Sequence, residues 1–307
     1  MRIVDAHVHI LPQEALGAGE PRLGSRMERH GWRRTAEGGF YALPPWSDTF
    51  PAEGLIALMD AWGVETAVIQ QTPLGPQNEA VARAVEAYPL RLAGAMLLEP
   101  REGWREEMEY WRGRGLRSVK LEMRSLTEKT MYPGLRYDAE RMIRLFRRAG
   151  EMGLTVTIDP APTDYAVYDP AALERAMRLC PETRFVLCHL AYPRPVHTPE
   201  GWEKWRRMAA LAERDNCWLD VSAMPDFFGE EGWPYPTALA LFRLVKGEVG
   251  IRKLLWGSDI PGTLNTAAYP QMLELFRRAG LAREELEALM GRNASEAYCL
   301  PAGKGTV

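Results

Sequence analysis

The sequence predicts an α/β fold, a single-domain (β/α)8 or TIM barrel, and three observations support this prediction. Short β-branched runs alternate strictly with amphipathic helical stretches, and eight such units follow one another along the 307-residue chain. This alternation is typical of parallel strands joined by right-handed helical crossovers. Ionisable residues collect at the C-terminal ends of the runs, and no linker divides the chain. A doubly wound open sheet is the competing architecture.

Each strand is assigned from a short apolar, β-branched run, and each helix from apolar residues that recur at helical spacing. Several helices precede a glycine, as at Gly63, Gly150 and Gly280, which favours a helix end there. In chain order, the predicted strands are residues 2–10, 66–70, 92–97, 118–123, 154–159, 184–189, 217–222 and 253–258. The predicted helices are residues 52–62, 78–88, 102–112, 139–152, 170–179, 200–214, 237–248, 269–279 and 283–298.

One domain is expected to span residues 1–307, with two additions to the plain barrel. Residues 11–50 form a long segment that contains glycine, arginine and tryptophan, and the sequence predicts a loop over the C-terminal mouth of the barrel. Residues 281–300 are predicted to form a C-terminal helical extension after the eighth unit.

Composition excludes several classes of function. The net charge is −3 with balanced signs, so no basic field favours nucleic acid or an anionic membrane. No apolar stretch approaches the length of a membrane span, and the N-terminal strand does not resemble a signal peptide. Four scattered cysteines without CxxC spacing predict free thiols in the cytoplasm. We expect a small-molecule substrate, and the outer helices and the long loop could support a homo-oligomer.

The first strand contains two of the five histidines of the chain, His7 and His9. Residues i and i+2 of a strand point to the same face, so both imidazoles project to one side and Val8 to the other. An exposed edge strand is the alternative, but the apolar neighbours of the pair disfavour it. Burying two polar rings is costly without partners, which indicates a functional reason for the pair.

Further polar residues lie where the other predicted strands end, at the edge where barrel enzymes place their active sites. Each has a structural alternative: His189 could be a core residue, Asp159 and Asp259 could shape the turns before Pro160 and Pro261, and the cations could pair with a glutamate. The candidates are Lys120, Glu122 and Arg124 for strand four, Asp159 for strand five, His189 for strand six, Ser222 for strand seven and Asp259 for strand eight.

Four motifs in order along the chain resemble the amidohydrolase superfamily, in particular the amidohydrolase-related (amidohydrolase 2) branch of TIM-barrel hydrolases and decarboxylases. They are Asp5-Ala6-His7-Val8-His9, Phe185-Val186-Leu187-Cys188-His189-Leu190, Trp256-Gly257-Ser258-Asp259-Ile260-Pro261 and Arg292-Asn293-Ala294. The resemblance runs from Asp5 to about Tyr298. It implies that His7, His9 and Asp259 bind a divalent metal and that His189 contacts or polarises the substrate.

The chain departs from this pattern at the end of strand five. Metal-binding members usually have a histidine where this sequence has Asp159, and a related lactonase group that also lacks it works, as the resemblance implies, without metal. His7, His9, Asp159 and Asp259 would offer two nitrogens and two carboxylate oxygens, a set that suits one Zn²⁺ or Mn²⁺. Glu122 is a reserve ligand. A hydrogen-bonded cluster without any ion is the alternative.

These residues predict a metal-dependent hydrolase of a small lactone, ester or amide, one that could carry a carboxylate. Asp259 would act as the general base, and His189 would donate to the substrate carbonyl oxygen. Lys120 and Arg124 would pair with a substrate carboxylate. Trp46, from the long loop, and Ser222 would complete the substrate contacts.

Three alternatives remain open at this point. The first is a non-oxidative decarboxylase of an aromatic or enoic acid on the same site, in which Asp259 would protonate carbon. The second is a metal-independent lactonase. The third belongs to another class, a catalytically inactive barrel that binds a ligand.

Overall fold

The computed structural model describes residues 1–12, 49–71, 77–123, 134–193 and 198–301, together with the backbone of residues 19–20, 25–28, 31–34 and 38–42. Within these residues, eight parallel strands form one sheet, which confirms the predicted (β/α)8 barrel. The strands, in their order around the sheet, are β1 (Val4–Val8), β6 (Thr66–Ile69), β7 (Leu92–Leu97), β8 (Ser118–Glu122), β9 (Thr155–Asp159), β10 (Arg184–Leu187), β11 (Cys217–Asp220) and β12 (Leu254–Leu255).

The ring closes between β12 and β1, although β12 is shorter than the sequence predicts. The backbone N–H of Trp256 leaves the sheet and donates to the carbonyl oxygen of Leu289 at 2.9 Å. The chain nevertheless continues alongside β1: the N–H of Ala6 donates to the Trp256 carbonyl at 3.0 Å, and the N–H of Asp259 donates to the His7 carbonyl at 2.8 Å. These bonds hold the region after β12 against the first strand.

Helices follow the strands and cover the barrel, as the alternation predicts. All four cysteines are free thiols. Among the described residues, every helix is too short or too polar to span a bilayer. The helices are α1 (Ala52–Trp62), α2 (Asn78–Ala87), α3 (Trp104–Gly113), α4 (Glu140–Glu151), α5 (Pro170–Leu179), α6 (Pro199–Ala209), α7 (Met224–Phe227), α8 (Pro236–Val249), α9 (Tyr269–Leu275), α10 (Arg283–Glu287) and α11 (Asn293–Ala297).

The segment predicted as a long loop contains a small antiparallel sheet. Its strands pair in sequence order, and β5 lies beside the turn Gly262–Asn265, which follows β12. Leu11 and Phe50 close the base of the segment, because each donates its N–H to the other's carbonyl at 2.7 and 2.8 Å. The four strands are β2 (Gly19–Glu20), β3 (Ser25–Glu28), β4 (Gly31–Arg34) and β5 (Gly38–Ala42).

The C-terminal helices pack against the barrel interior. A π-helical turn at Ala288–Arg292 joins α10 to α11, and the chain then places Tyr298 in an apolar cluster inside the sheet. The Tyr298 hydroxyl accepts a hydrogen bond from Gln70 Nε2 at 3.1 Å and lies 3.0 Å from Thr157 Oγ1. The predicted extension therefore supplies a side chain that fills the barrel.

Replacing Tyr298 should show how far the barrel depends on this side chain. Tyr298→Ala should lower the free energy of unfolding by about 3–5 kcal/mol, as expected for loss of a buried aromatic ring. Tyr298→Phe keeps the ring and should cost only about 1 kcal/mol for the lost hydrogen bonds. Urea unfolding measures both, with Tyr110→Ala, at an exposed position, as the control. Equal losses for the Ala and Phe variants would contradict a packing role.

Candidate active site

His7 lies in β1 and His9 one residue beyond its end, and the two rings are side by side, as the spacing predicts. Their ring centroids are 5.1 Å apart, and both side chains are almost inaccessible to solvent. The pairing of β1 with β6 is irregular between Asp5 and Val8, which is the stretch that carries His7. The pair therefore belongs to the barrel and not to an exposed edge.

The hydrogen-bond partner of Nδ1 in each ring determines which nitrogen carries the proton and how the ring is oriented. His9 Nδ1 lies 3.0 Å from the Gln70 carbonyl oxygen, and His7 Nδ1 lies 2.9 Å from Asp220 Oδ2. Both partners are acceptors, so each Nδ1 carries a proton and donates it. In the neutral His7 ring, Nε2 then presents a lone pair, whereas His9 Nε2 lies within hydrogen-bond distance of Asp259 and would present its lone pair once a cation replaced the shared proton.

Asp259 directs its carboxylate at these two nitrogens. Its Oδ1 lies 2.8 Å from His9 Nε2 and 3.6 Å from His7 Nε2. The backbone of Asp259 adopts a left-handed conformation with φ of 63°, fixed by its N–H bond to His7. Burial by itself would raise the pKa of Asp259, but the hydrogen bond with His9 and the nearby imidazoles lower that pKa to about 2.

This arrangement fits a cation. Ligand atoms of His7, His9 and Asp259 lie within 4.8 Å of one another, and His7 Nε2 is buried with no hydrogen-bond partner in the part of the chain that the structure describes. Burial also lowers the pKa of His7 to about 4, which keeps its ring neutral and able to coordinate. Two imidazole nitrogens and a carboxylate that converge in this way are typical of a Zn²⁺ or Mn²⁺ site, where a cation would take the place of the proton that His9 Nε2 shares with Asp259 Oδ1.

Asp220 connects the two histidine strands, a role that the sequence did not reveal. Its Oδ2 accepts from His7 Nδ1, and its Oδ1 accepts from the backbone N–H of His189 at 2.8 Å and of Ser222 at 3.2 Å. Ligating histidines commonly donate their other ring proton to a carboxylate. The position of Asp220 at the end of β11, on the same edge as the candidates, was the one available signal.

His189 follows β10 on an unusual stretch of backbone. His189, Leu190, Ala191 and Tyr192 all have positive φ, with values of 57°, 52°, 58° and 65°. Its ring lies 4.7 Å from the His7 ring, centroid to centroid, and the aromatic rings of Tyr192 and Phe227 flank it at 6.2 and 6.0 Å. The structure therefore places the His189 ring beside the His7 ring, as predicted.

Asp159 does not join the His7–His9–Asp259 cluster. Its Oδ1 accepts the N–H of Ala161 at 3.0 Å, which shapes the turn after β9, and its Oδ2 lies 3.7 Å from His189 Nε2. The predicted fourth metal ligand is thus directed towards His189, because one carboxylate oxygen is held by the backbone N–H of Ala161 and the other lies near the His189 ring. Glu122, the reserve ligand, is also outside the cluster.

Lys120 and Glu122 form an ion pair inside the barrel. Lys120 Nζ lies 3.2 Å from Glu122 Oε1 and 3.1 Å from Cys188 Sγ. Although burial works against it, Cys188 and the carboxylates of Glu122 and Asp159 hold the pKa of Lys120 well above its ordinary value. Lys120 is therefore charged and lies in contact with Glu122, which is the structural alternative considered for this residue.

The remaining predicted substrate contacts divide into two groups. Ser222 is buried, and its hydroxyl forms hydrogen bonds with Asp220 and His189. These partners are protein side chains, and a contact of Ser222 with the substrate stays a prediction. Arg124 and Trp46 lie outside the described residues, and their assignment to the substrate stays a prediction.

A family model described as amidohydrolase matches residues 4–300. The chain belongs to this amidohydrolase family. It is therefore an amidohydrolase-family enzyme, as the resemblance of its motifs indicated. A comparison with curated proteins gives no match.

Solved structures of similar proteins share the barrel at low sequence identity. A probable 2-pyrone-4,6-dicarboxylic acid hydrolase from Acinetobacter baumannii with citric acid bound is 19% identical, with a TM-score of 0.71 over 97% of this chain and 100% of that chain. An amidohydrolase from Burkholderia multivorans with bound zinc is 16% identical, with a TM-score of 0.71 over 98% and 100%. A 5-carboxyvanillate decarboxylase from Sphingomonas paucimobilis is 16% identical, with a TM-score of 0.60 over 98% and 99%. These likenesses establish the fold.

The buried Glu122 should give the enzyme a measurable pH dependence of stability. Burial raises its pKa from 4.5 to about 7, despite the nearby Lys120. Between these values the folded state binds more protons than the unfolded state, so the free energy of unfolding should fall as pH rises, by about 1.4 kcal/mol per unit of pKa difference. Glu122→Gln should remove this part of the slope in urea unfolding between pH 4.5 and 7.

The matched control for that measurement is Glu140→Gln, at an exposed glutamate on α4. The change in the free energy of unfolding with pH should be the same for this variant as for the unchanged enzyme. A Glu122→Gln variant with an unaltered slope would show that the carboxyl group is not desolvated as the structure indicates.

Proposed function

We propose that this amidohydrolase-family enzyme is a metal-dependent hydrolase of a small lactone, ester or amide. The observation that carries the proposal is the convergence of His7 Nε2, His9 Nε2 and the Asp259 carboxylate within one buried cluster. The hydrolase named in the Acinetobacter structure supports hydrolysis, and the zinc in the Burkholderia structure supports a metal. The free, scattered cysteines support a reducing compartment, which we propose is the cytoplasm.

His7, His9 and Asp259 would hold one Zn²⁺ or Mn²⁺. A bound divalent cation supplies positive charge that eases the loss of a proton from water near neutral pH. His7 and His9 suit this role because their Nδ1 protons are already donated to Asp220 and to the Gln70 carbonyl. The orientation of both rings is thus fixed before any ligand arrives.

Asp259 would be the general base. Its lowered pKa keeps it ionised at neutral pH, so it can take a proton from water and return that proton to the leaving group. His189 would contact the oxygen of the substrate carbonyl, since its ring lies beside that of His7 and next to the aromatic ring of Phe227. Together these residues provide one group for the water and one for the substrate.

The surroundings favour a flat, unsaturated substrate. Tyr192 and Phe227 lie 4.9 Å apart, centroid to centroid, and form an aromatic surface next to His189. Aromatic side chains pack well against planar rings. A carboxylate on the substrate is supported by the dicarboxylic acid hydrolase among the similar structures. Because Lys120 Nζ already contacts Glu122 and Cys188 within the protein, we assign recognition of that carboxylate mainly to Arg124.

Metal content should test the cation site directly. Enzyme purified without added ions should contain about one Zn or Mn per chain by elemental analysis, and His7→Asn or His9→Asn should lose it because each variant removes a ligand. His197→Asn leaves all three ligands in place and should keep the metal. Full activity in a preparation without metal would instead support the metal-independent lactonase alternative.

The reaction itself can be tested on a panel of carboxylated lactones, esters and amides in ¹⁸O-labelled water. Hydrolysis should place one ¹⁸O atom in the product, and Asp259→Asn should lower the rate by roughly 10²–10⁴-fold through loss of the general base. Asp60→Asn, at an exposed ion pair, should leave the rate unchanged. Release of carbon dioxide from aromatic or enoic acids without ¹⁸O incorporation would favour the decarboxylase named in a similar structure. Unaltered turnover in Asp259→Asn would contradict the assigned site.

A further inference from the structure

Ser222 lies between a carboxylate and an imidazole, both in hydrogen-bond contact with its hydroxyl. The oxygen Oγ contacts Asp220 Oδ1 closely and lies 2.8 Å from His189 Nδ1. All three side chains are buried. A hydroxyl has a single hydrogen to donate, so it can donate to one of these partners and must accept from the other.

The surroundings of Asp220 decide which partner receives the hydrogen. Its Oδ1 already accepts two backbone N–H groups, from His189 and Ser222, and its Oδ2 accepts from His7 Nδ1. Every neighbour of this carboxyl group is a donor, which is the environment of an ionised carboxylate with no proton of its own. The Ser222 hydroxyl must therefore donate to Asp220, because two lone pairs at such close range would repel.

The lone pair of Ser222 Oγ is then left for His189. We infer that Ser222 is a positioning residue that holds His189 as its Nδ1–H tautomer and leaves Nε2 as the nitrogen with the lone pair. The sequence of donors runs in one direction, from His189 Nδ1–H to Ser222 Oγ and from Ser222 Oγ–H to Asp220.

This assignment changes what His189 can do. A neutral His189 would accept a hydrogen bond at Nε2, from water or from the substrate. To donate to a carbonyl oxygen, as the sequence predicted, the ring would need a second proton at Nε2. The carboxylate that could balance that charge is Asp159, whose Oδ2 lies 3.7 Å from Nε2. The inference concerns the ring itself and holds whichever substrate the enzyme takes.

Nuclear magnetic resonance of the ring nitrogens tests the inference without a substrate. The full chain labelled with ¹⁵N-histidine has only five histidines, and single substitutions of the other four would assign the His189 signals. Long-range ¹H–¹⁵N spectra of the metal-free or zinc-loaded protein, recorded where the ring is neutral, should show a protonated Nδ1 and an unprotonated Nε2. The expected preference is about tenfold or more over the other tautomer. A predominant Nε2–H tautomer would overturn the inference.

Variants at position 222 separate positioning from general packing. Ser222→Ala should reduce the preference for the Nδ1–H tautomer, whereas Ser222→Thr keeps a hydroxyl and should restore it. Ser295→Ala, on α11, removes a hydroxyl that donates to the Gly291 carbonyl oxygen and should leave the His189 signals unchanged. An unchanged tautomer in a folded Ser222→Ala variant would contradict the proposal. If that variant does not fold, the spectra of the unchanged protein and of Ser222→Thr decide the question.

Discussion

The rest of the site depends on the hydrogen bonds that the carboxylate of Asp220 accepts. This carboxylate is buried at the end of β11 and accepts four hydrogen bonds. Two come from backbone N–H groups, and two come from the side chains of His7 and Ser222. A buried carboxylate is tolerated only when such partners compensate its lost hydration. Burial alone would raise the pKa of Asp220, but the contact with His7 and the further donors hold it below its ordinary value. One side chain thereby fixes His7 of β1 and His189, which follows β10.

The backbone around His189 shows that this placement has an energetic cost. Four consecutive residues other than glycine occupy the left-handed region, at about 1–2 kcal/mol each. The turn persists because its carbonyl groups have buried partners: Trp205 Nε1 donates to Leu190 at 2.9 Å, and the Tyr168 hydroxyl donates to Ala191 at 2.7 Å. Strain that is held in place by surrounding packing is typical of functional sites. The turn therefore gives His189 one position and leaves little freedom to its backbone.

Short-range sequence patterns predicted the secondary structure and most of the candidate site residues. The eight strand–helix units follow from hydrophobic periodicity, and His7, His9, His189 and Asp259 follow from their positions at strand ends. The role of Asp220 did not follow, because its partner His7 is 213 positions away in the sequence and only the closed barrel brings the two together. Nor could the orientation of a carboxylate be predicted from its position, since it depends on the turn that follows. The short antiparallel strands within 11–50 lack the clear alternation that would have distinguished them from a loop.

The orientation of Asp159 bears on the kind of metal site that this enzyme can form. With Asp159 directed at His189, the cluster offers one ligand atom from each of His7, His9 and Asp259. Structural zinc sites are usually closed by four protein ligands, whereas catalytic sites keep a position for water or substrate. A cation held by three side chains would therefore retain the open position that hydrolysis requires. The aspartate at the end of β9 then contacts the imidazole of His189, so its negative charge lies beside His189 and not within the cluster of His7, His9 and Asp259.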